Sequence, residues 1–224
     1  MINMSRVRAG VATALGLSAL LLLPVGRAAA VPTLVFDQVS PLTPGTISWD
    51  PAVLSGALVG KDIVFKTITG LGTPANNGST LSCVGDCMLN FVTGTYAGSG
   101  IWNPGGSFIL TGDLAGIGDD LTILTGTWTS SVTQVLTTMF VGQGVDTNDA
   151  GMLSYFGFPS DTSFSSTSTF ITALPVVLNG AFSVNVTNAD ITNYAETDAV
   201  PEPGTMLLLG SGVSVLALRR RRKV

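Results

Sequence analysis

The side chains available for chemistry in this 224-residue chain are two cysteines, fourteen carboxylates and ten cations, with no histidine at all. The missing imidazole excludes histidine-ligated zinc or haem, Ser-His-Asp and Cys-His nucleophile pairs, and a histidine general base. Thiol chemistry, carboxylate chemistry and oxygen-ligand metal binding remain. Cys83 and Cys87 enclose Val84-Gly85-Asp86, whose glycine tolerates positive φ. In an oxidising compartment this spacing predicts a structural disulfide across the mouth of a hairpin. Zinc would need two more ligands, which neither a histidine nor a third cysteine supplies. A redox pair would favour Cys-x-x-Cys at a helix start.

Among the carboxylates, Asp146-Thr147-Asn148-Asp149 opens like a calcium loop, with Gly151 following. The glutamate that closes an EF-hand is missing. Asp146, Asn148 and Asp149 are therefore candidates for a looser calcium site, set against a plain solvated turn, and calcium is the one cofactor suggested. A glycosidase would need two cooperating carboxylates, and an acidic body supplies some close pairs by chance. Asp119 and Asp120 are neighbours, so on a strand they face opposite sides and start it from a turn. Gly70-x-Gly72, Gly116-x-Gly118 and Gly142-x-Gly144 lack the third glycine of a dinucleotide loop, and no Gly-x-Ser-x-Gly elbow occurs. No catalytic or cofactor-binding residue is assigned, and the expectation is a protein that is not an enzyme.

The elements that must position these groups are strands. Between Val31 and Val200 the chain holds two lysines, no arginine and thirteen carboxylates, a net charge of −11. That excludes nucleic-acid and anionic-lipid binding by the body, both of which need clustered cations. Gly, Pro, Ser, Thr and Asn punctuate this stretch at the spacing of an all-β domain. Phe182 to Thr187 alternates strictly, and Thr125, Thr127 and Thr129 share one face with Leu124 and Trp128 opposite. Asp62 to Thr69, Thr33 to Val39, Ser107 to Thr111 and Val132 to Phe140 are further strands. Asn77-Gly78 reads as a hairpin turn, and Asp149 to Phe156 as a short helix with Asp149 as N-cap. The expected fold is a two-sheet β-sandwich, jelly-roll-like, over residues 31–199. Trp49, Trp102 and Trp128 are expected in its core or rim rather than on a sugar platform.

Both ends read as addresses. Residues 1–30 combine Arg6 and Arg8, an apolar run from Val11 to Leu23, and the small residues Ala28 to Ala30. This is a secretory signal peptide, read by signal peptidase at Ala28 and Ala30. At the other end, Pro201-Glu202-Pro203 breaks any helix, Met206 to Leu218 carries no charge, and Arg219, Arg220, Arg221, Arg222 and Lys223 close the chain. Thirteen residues of helix fall short of the ~30 Å hydrocarbon core, with arginine snorkelling making up part of the difference. The cations stay cytoplasmic and leave the preceding body outside, so both ends predict one topology.

Those three ordered parts at residues 200–224 resemble the PEP-CTERM sorting signal of Gram-negative bacteria, also described as an ice-binding-protein C-terminal domain. Gly204 stands where serine or threonine is common. The resemblance implies exosortase processing, transient inner-membrane association through the tail, and delivery to the cell surface or extracellular matrix alongside exopolysaccharide. An ordinary single-pass anchor would use the same helix and charges without cleavage. The reading that follows is an exported, processed envelope or matrix protein with a structural or interaction role. The alternatives are a matrix-acting carbohydrate-active enzyme using Asp carboxylates, or a carbohydrate- or ice-binding surface protein.

Overall fold

The computed structural model describes residues 30–38 and 45–196, which form one compact unit. The signal peptide, the Val39 end of the first expected strand, and the whole tail from Pro201 to Val224 lie outside the described residues. Twelve strands are present: β1 Thr33–Asp37, β2 Thr46–Trp49, β3 Leu58–Leu71, β4 Thr80–Thr93, β5 Tyr96–Gly98, β6 Ile101–Trp102, β7 Gly106–Leu114, β8 Gly118–Trp128, β9 Val132–Leu136, β10 Met139–Asn148, β11 Phe164–Thr172 and β12 Phe182–Ala195. One short helix, α1 Ala150–Phe156, joins β10 to β11.

The fold is all-β as expected, but the sheet closes on itself instead of splitting into a sandwich. Every pairing is antiparallel and runs β3-β4-β7-β8-β10-β11-β12. β1 and β2 then lie end to end between β12 and β3, sharing the eighth place in an eight-stranded barrel. Closure removes the exposed edges that a sandwich must protect, and at eight strands side chains alone fill the interior. The period-2 pattern is the same in a sandwich and a barrel, which is why alternation alone misassigned the architecture.

Val132 to Phe140 is not one strand. A turn at Thr137-Thr138 divides it into β9 and the start of β10, which pair with each other. β9 carries β6 and β5 outward, so three short strands form a flap at one end of the barrel. Helix α1 covers the other end, burying Met152, Leu153 and Phe156. Its N-cap is Asp149 as expected, accepting from the Met152 amide at 2.9 Å. Asn77-Gly78 sits in the longer β3–β4 connection, where the positive φ values fall on Gly72, Asn76 and Gly78. The Asn77 side chain instead accepts from the Gly72 amide at 2.7 Å.

Inward positions are apolar and outward positions are largely threonine, serine and asparagine. On β8, Leu124 and Trp128 are buried while Thr125 and Thr127 are exposed. That is the polarity of a barrel whose outer wall faces water, opposite to a lipid-facing one. Among the described residues no helix is long and apolar enough to cross a membrane; the apolar run Met206 to Leu218 lies outside them.

Candidate functional site

The chemistry-bearing residues fall into three places. The first is inside the barrel. β10 points Asp146 inward, with Gly126 of β8 and Phe164 of β11 as its cross-strand partners. β11 contributes the buried Ser166 and Ser168, and β12 sets the fully buried Asn193 opposite Ser166. Asp146 Oδ1 accepts from Asn193 Nδ2 at 2.8 Å and from Asn148 Nδ2 at 3.1 Å. Asp146 Oδ2, Asn193 Oδ1 and Ser166 Oγ have no hydrogen-bond partner. Burial pushes the Asp146 carboxyl from its ordinary 3.8 up to about 7, against the pull of the Ser166, Asn148 and Asn193 dipoles, and the Glu196 charge adds to the rise.

Of the three calcium candidates, the structure therefore brings Asp146 and Asn148 together and takes Asp149 away to cap α1. No group of three or more Asp, Glu or Cys side chains comes together as a ligand set among the described residues. Asn193 and Ser166 were missed from sequence. The available signal was serine at inward positions of a strand bounded by the buried Phe164 and Phe170.

The second place is the outer wall. A cleft of ≈530 Å³ is bordered by Ser107, Thr125, Thr127, Val145, Thr147 and Glu196. Asp146 also touches it, but the carboxylate is turned inward to the fully buried Asn193. Glu196 faces outward, where Ser165 Oγ donates to its Oε1 at 2.8 Å. The two carboxylates thus sit on opposite faces of the wall. Asp37 and Asp190 do face each other across β1 and β12, and the Asp190 carboxyl is raised by partial burial and by Asp37. Asp119 and Asp120 are exposed at the start of β8, where Asp113 Oδ1 accepts from the Asp120 amide at 2.6 Å.

The third place is β4. Cys83 and Cys87 are bonded, with Cα atoms 5.8 Å apart. They do not flank a hairpin. Both lie in one strand, and residues 83–86 form a bulge opposite the single residue Lys66 of β3. Sequence spacing could not separate a bulge from a turn, because both can use a glycine at positive φ, here Gly85 at 83°. Lys66 Nζ donates to Gly85 O at 2.8 Å and forms an ion pair with Asp86. The bulge is thus fastened at its neck and at its tip. In the chain-entropy model a loop this small contributes ~2 kcal/mol. Intact mass under non-reducing conditions should show no alkylation until reductant is added, and reduction should lower stability by ~2 kcal/mol. Two alkyl groups added without reductant would refute the bond.

The three tryptophans belong to the core, as expected. Trp49 and Trp102 are buried and both donate their indole N–H to Gly56 O, at 2.9 and 3.1 Å. Trp128 donates to Val92 O at 3.1 Å. With Tyr96, Phe140 and Phe182 the first two close the flap end of the barrel. Glycines of the strands also acquire a role. Gly60 and Gly126 lie directly opposite Phe91 and Phe108, leaving room for those rings across the barrel interior, and Gly144 leaves room for the Phe108 ring as well.

Comparison with protein families matches residues 199–222 to the PEP-CTERM protein-sorting motif. No curated protein and no solved structure matches the chain. The motif implies an exosortase-targeted secreted protein, exported through the cell envelope of a Gram-negative-type bacterium. Pro201, Glu202, Pro203 and Arg219 to Arg222 fall within the matched residues, and Ala28 and Lys223 lie outside both the match and the described structure. Ala30, the first described residue, is exposed.

Proposed function

We propose that the barrel is a non-catalytic structural or interaction module of the cell envelope or extracellular matrix, associated with exopolysaccharide. The sorting motif at residues 199–222 carries this reading, because it sends the preceding body out of the cell. Three features of the barrel support it. Its interior is filled by side chains, its tryptophans are used in packing, and its one deeply buried carboxylate is turned away from the outer cleft. On this reading signal peptidase removes residues 1–30. Exosortase then acts at the Pro201-Glu202-Pro203 segment while Arg219 to Lys223 hold the C-terminus in the cytoplasm. The mature protein reaches the surface or matrix.

Two measurements test the two halves of the proposal. Mass spectrometry of surface-extracted protein should find no peptide from Met206 to Val224, and Glu202→Ala should leave a full-length form in the inner membrane. An intact C-terminal Arg-Arg-Lys-Val peptide in the surface fraction would overturn the processing. For the body, incubation with the native polysaccharide should leave chain length unchanged. Depolymerisation that disappears in Asp146→Asn or Glu196→Gln would show the enzyme reading to be the right one.

A further inference from the structure

The barrel is polarised along its axis. The α1 end carries Asp113, Asp119, Asp120, Asp149, Asp161 and Glu196. The flap end is built from parts of residues 46–62, 93–112, 121–145 and 162–189, and in those four stretches Asp50, Lys61 and Asp62 are the only charged residues. Among the described residues eight large apolar side chains are more than half exposed, and six of them, Val53, Leu54, Val135, Leu136, Leu174 and Val177, are at the flap end. Scattered apolar residues on a surface mean little, but most of the exposed ones at one sparsely charged end mark a contact face.

The face has relief. The β9–β10 turn and the β11–β12 loop are tied together, with the Val176 amide donating to Thr137 O at 2.6 Å and Gln134 Nε2 to Val176 O at 2.9 Å. Together they hold Val135, Leu136, Leu174 and Val177 out as one projection. Beside it lies a recess of ≈350 Å³ lined by Trp49, Asp50, Val53, Ala57, Ala181 and Phe182. Asp50 is the one charge on its wall, and its Oδ1 is occupied by the Ala52 amide at 2.8 Å.

We infer that this end is where a second copy of the chain docks, the projection of each protomer entering the recess of the other. Two observations select a second copy over other occupants. A projection and a recess on one face make that face self-complementary, as a two-fold contact requires. The body also carries −11, so copies repel unless they meet through the end that holds no clustered charge, and a tip-to-tip pair keeps both acidic ends farthest apart. A flat bilayer would leave the recess unfilled. The exposed apolar side chains at this end are aliphatic, without an exposed Trp or any Arg to anchor an interfacial segment, and Lys61 is the one cation near them.

Sedimentation equilibrium of the mature exported protein tests this directly. The expected mass is that of a dimer, with the pair Leu136→Asp and Leu174→Asp weakening self-association at least about tenfold. The milder Leu136→Ser should weaken it in the same direction while keeping the near-UV circular dichroism of the barrel. Ile109→Asp, on the barrel wall, should leave the dimer intact. A monomer at all concentrations, or a dimer untouched by the tip substitutions, would overturn the inference. So would a monomer that floats with zwitterionic vesicles and loses that ability in the tip variants, which would assign the face to lipid.

Discussion

Asp146→Asn should stabilise the barrel by ~4 kcal/mol at about pH 8 and change little at about pH 4. The size follows from the carboxyl, which burial raises from 3.8 to about 7 inside the barrel. Below the unfolded value both states carry the proton and the group adds no pH dependence. Between that value and about 7 the unfolded chain releases the proton while the barrel keeps it, so stability falls as pH rises. Above about 7 the folded state bears a buried anion and the loss is complete. This sign is opposite to that of a salt-bridged aspartate, which stabilises at neutral pH and fails in acid.

The geometry explains why an amide would relieve the cost. Asn193 and Asn148 spend their amide donors on Asp146 Oδ1, while Asp146 Oδ2 and Asn193 Oδ1 have no hydrogen-bond partner. A proton on Asp146, or the amide of the Asp146→Asn variant, supplies the missing donor without adding charge. Glu196 is the ionised neighbour that acts on Asp146; Asp149 is engaged by the Met152 amide and Asp190 is paired with Asp37. Urea midpoints of both proteins across the neutral range decide the matter. Parallel pH profiles would place the proton on another group, and a variant weaker than the parent at about pH 8 would show that the buried charge is compensated.

How much of this was legible in the chain depends on the range of each signal. Local signals read correctly: the Asp149 cap, the outward threonines of β8 and the alternation at Phe182 each depend on a few neighbouring residues. Closure of the sheet was not legible, because it depends on β12 meeting both β1 and β2 from the opposite end of the body's sequence. The division at Thr137-Thr138 was hidden for the opposite reason. Neither residue is a glycine, proline or asparagine, so nothing in the local chemistry announces the turn. For the candidate site, part of the set around Asp146 was legible. Of the two residues named with it, Asn148 stays beside it and Asp149 turns to the helix, while Ser166 and Asn193 arrive from strands that only the barrel register places beside it. The sorting tail, by contrast, is linear by nature, and a family comparison finds it from the same residues.

The register also reverses an ordinary rule about glycine in strands. Alanine normally improves a strand interior over glycine, yet Gly60→Ala should destabilise this barrel by ~3 kcal/mol. Gly60 of β3 lies directly opposite Phe91 of β4, and a Cβ placed on it would come within 2.1 Å of Phe91 Cε1. The ring cannot swing aside. It is stacked on Phe170 at 5.0 Å and meets Trp128 edge-on at 5.6 Å, and Trp128 in turn lies against Phe108 at 4.7 Å. Displacing Phe91 therefore disturbs rings from four strands rather than one side chain. The same atoms name the compensating change, since the three nearest contacts of that Cβ are all on the Phe91 ring and none is backbone. Phe91→Leu alone should cost ~1–2 kcal/mol through the cavity it opens. In the double variant the new methyl occupies part of that space, so the two losses should fall short of their sum by more than ~1 kcal/mol. Denaturant melts of the parent, the two single variants and the double variant complete the cycle. Strict additivity, or a Gly60→Ala barrel as stable as the parent, would mean that the ring has room to move and that glycine at this position does not set the packing of the core.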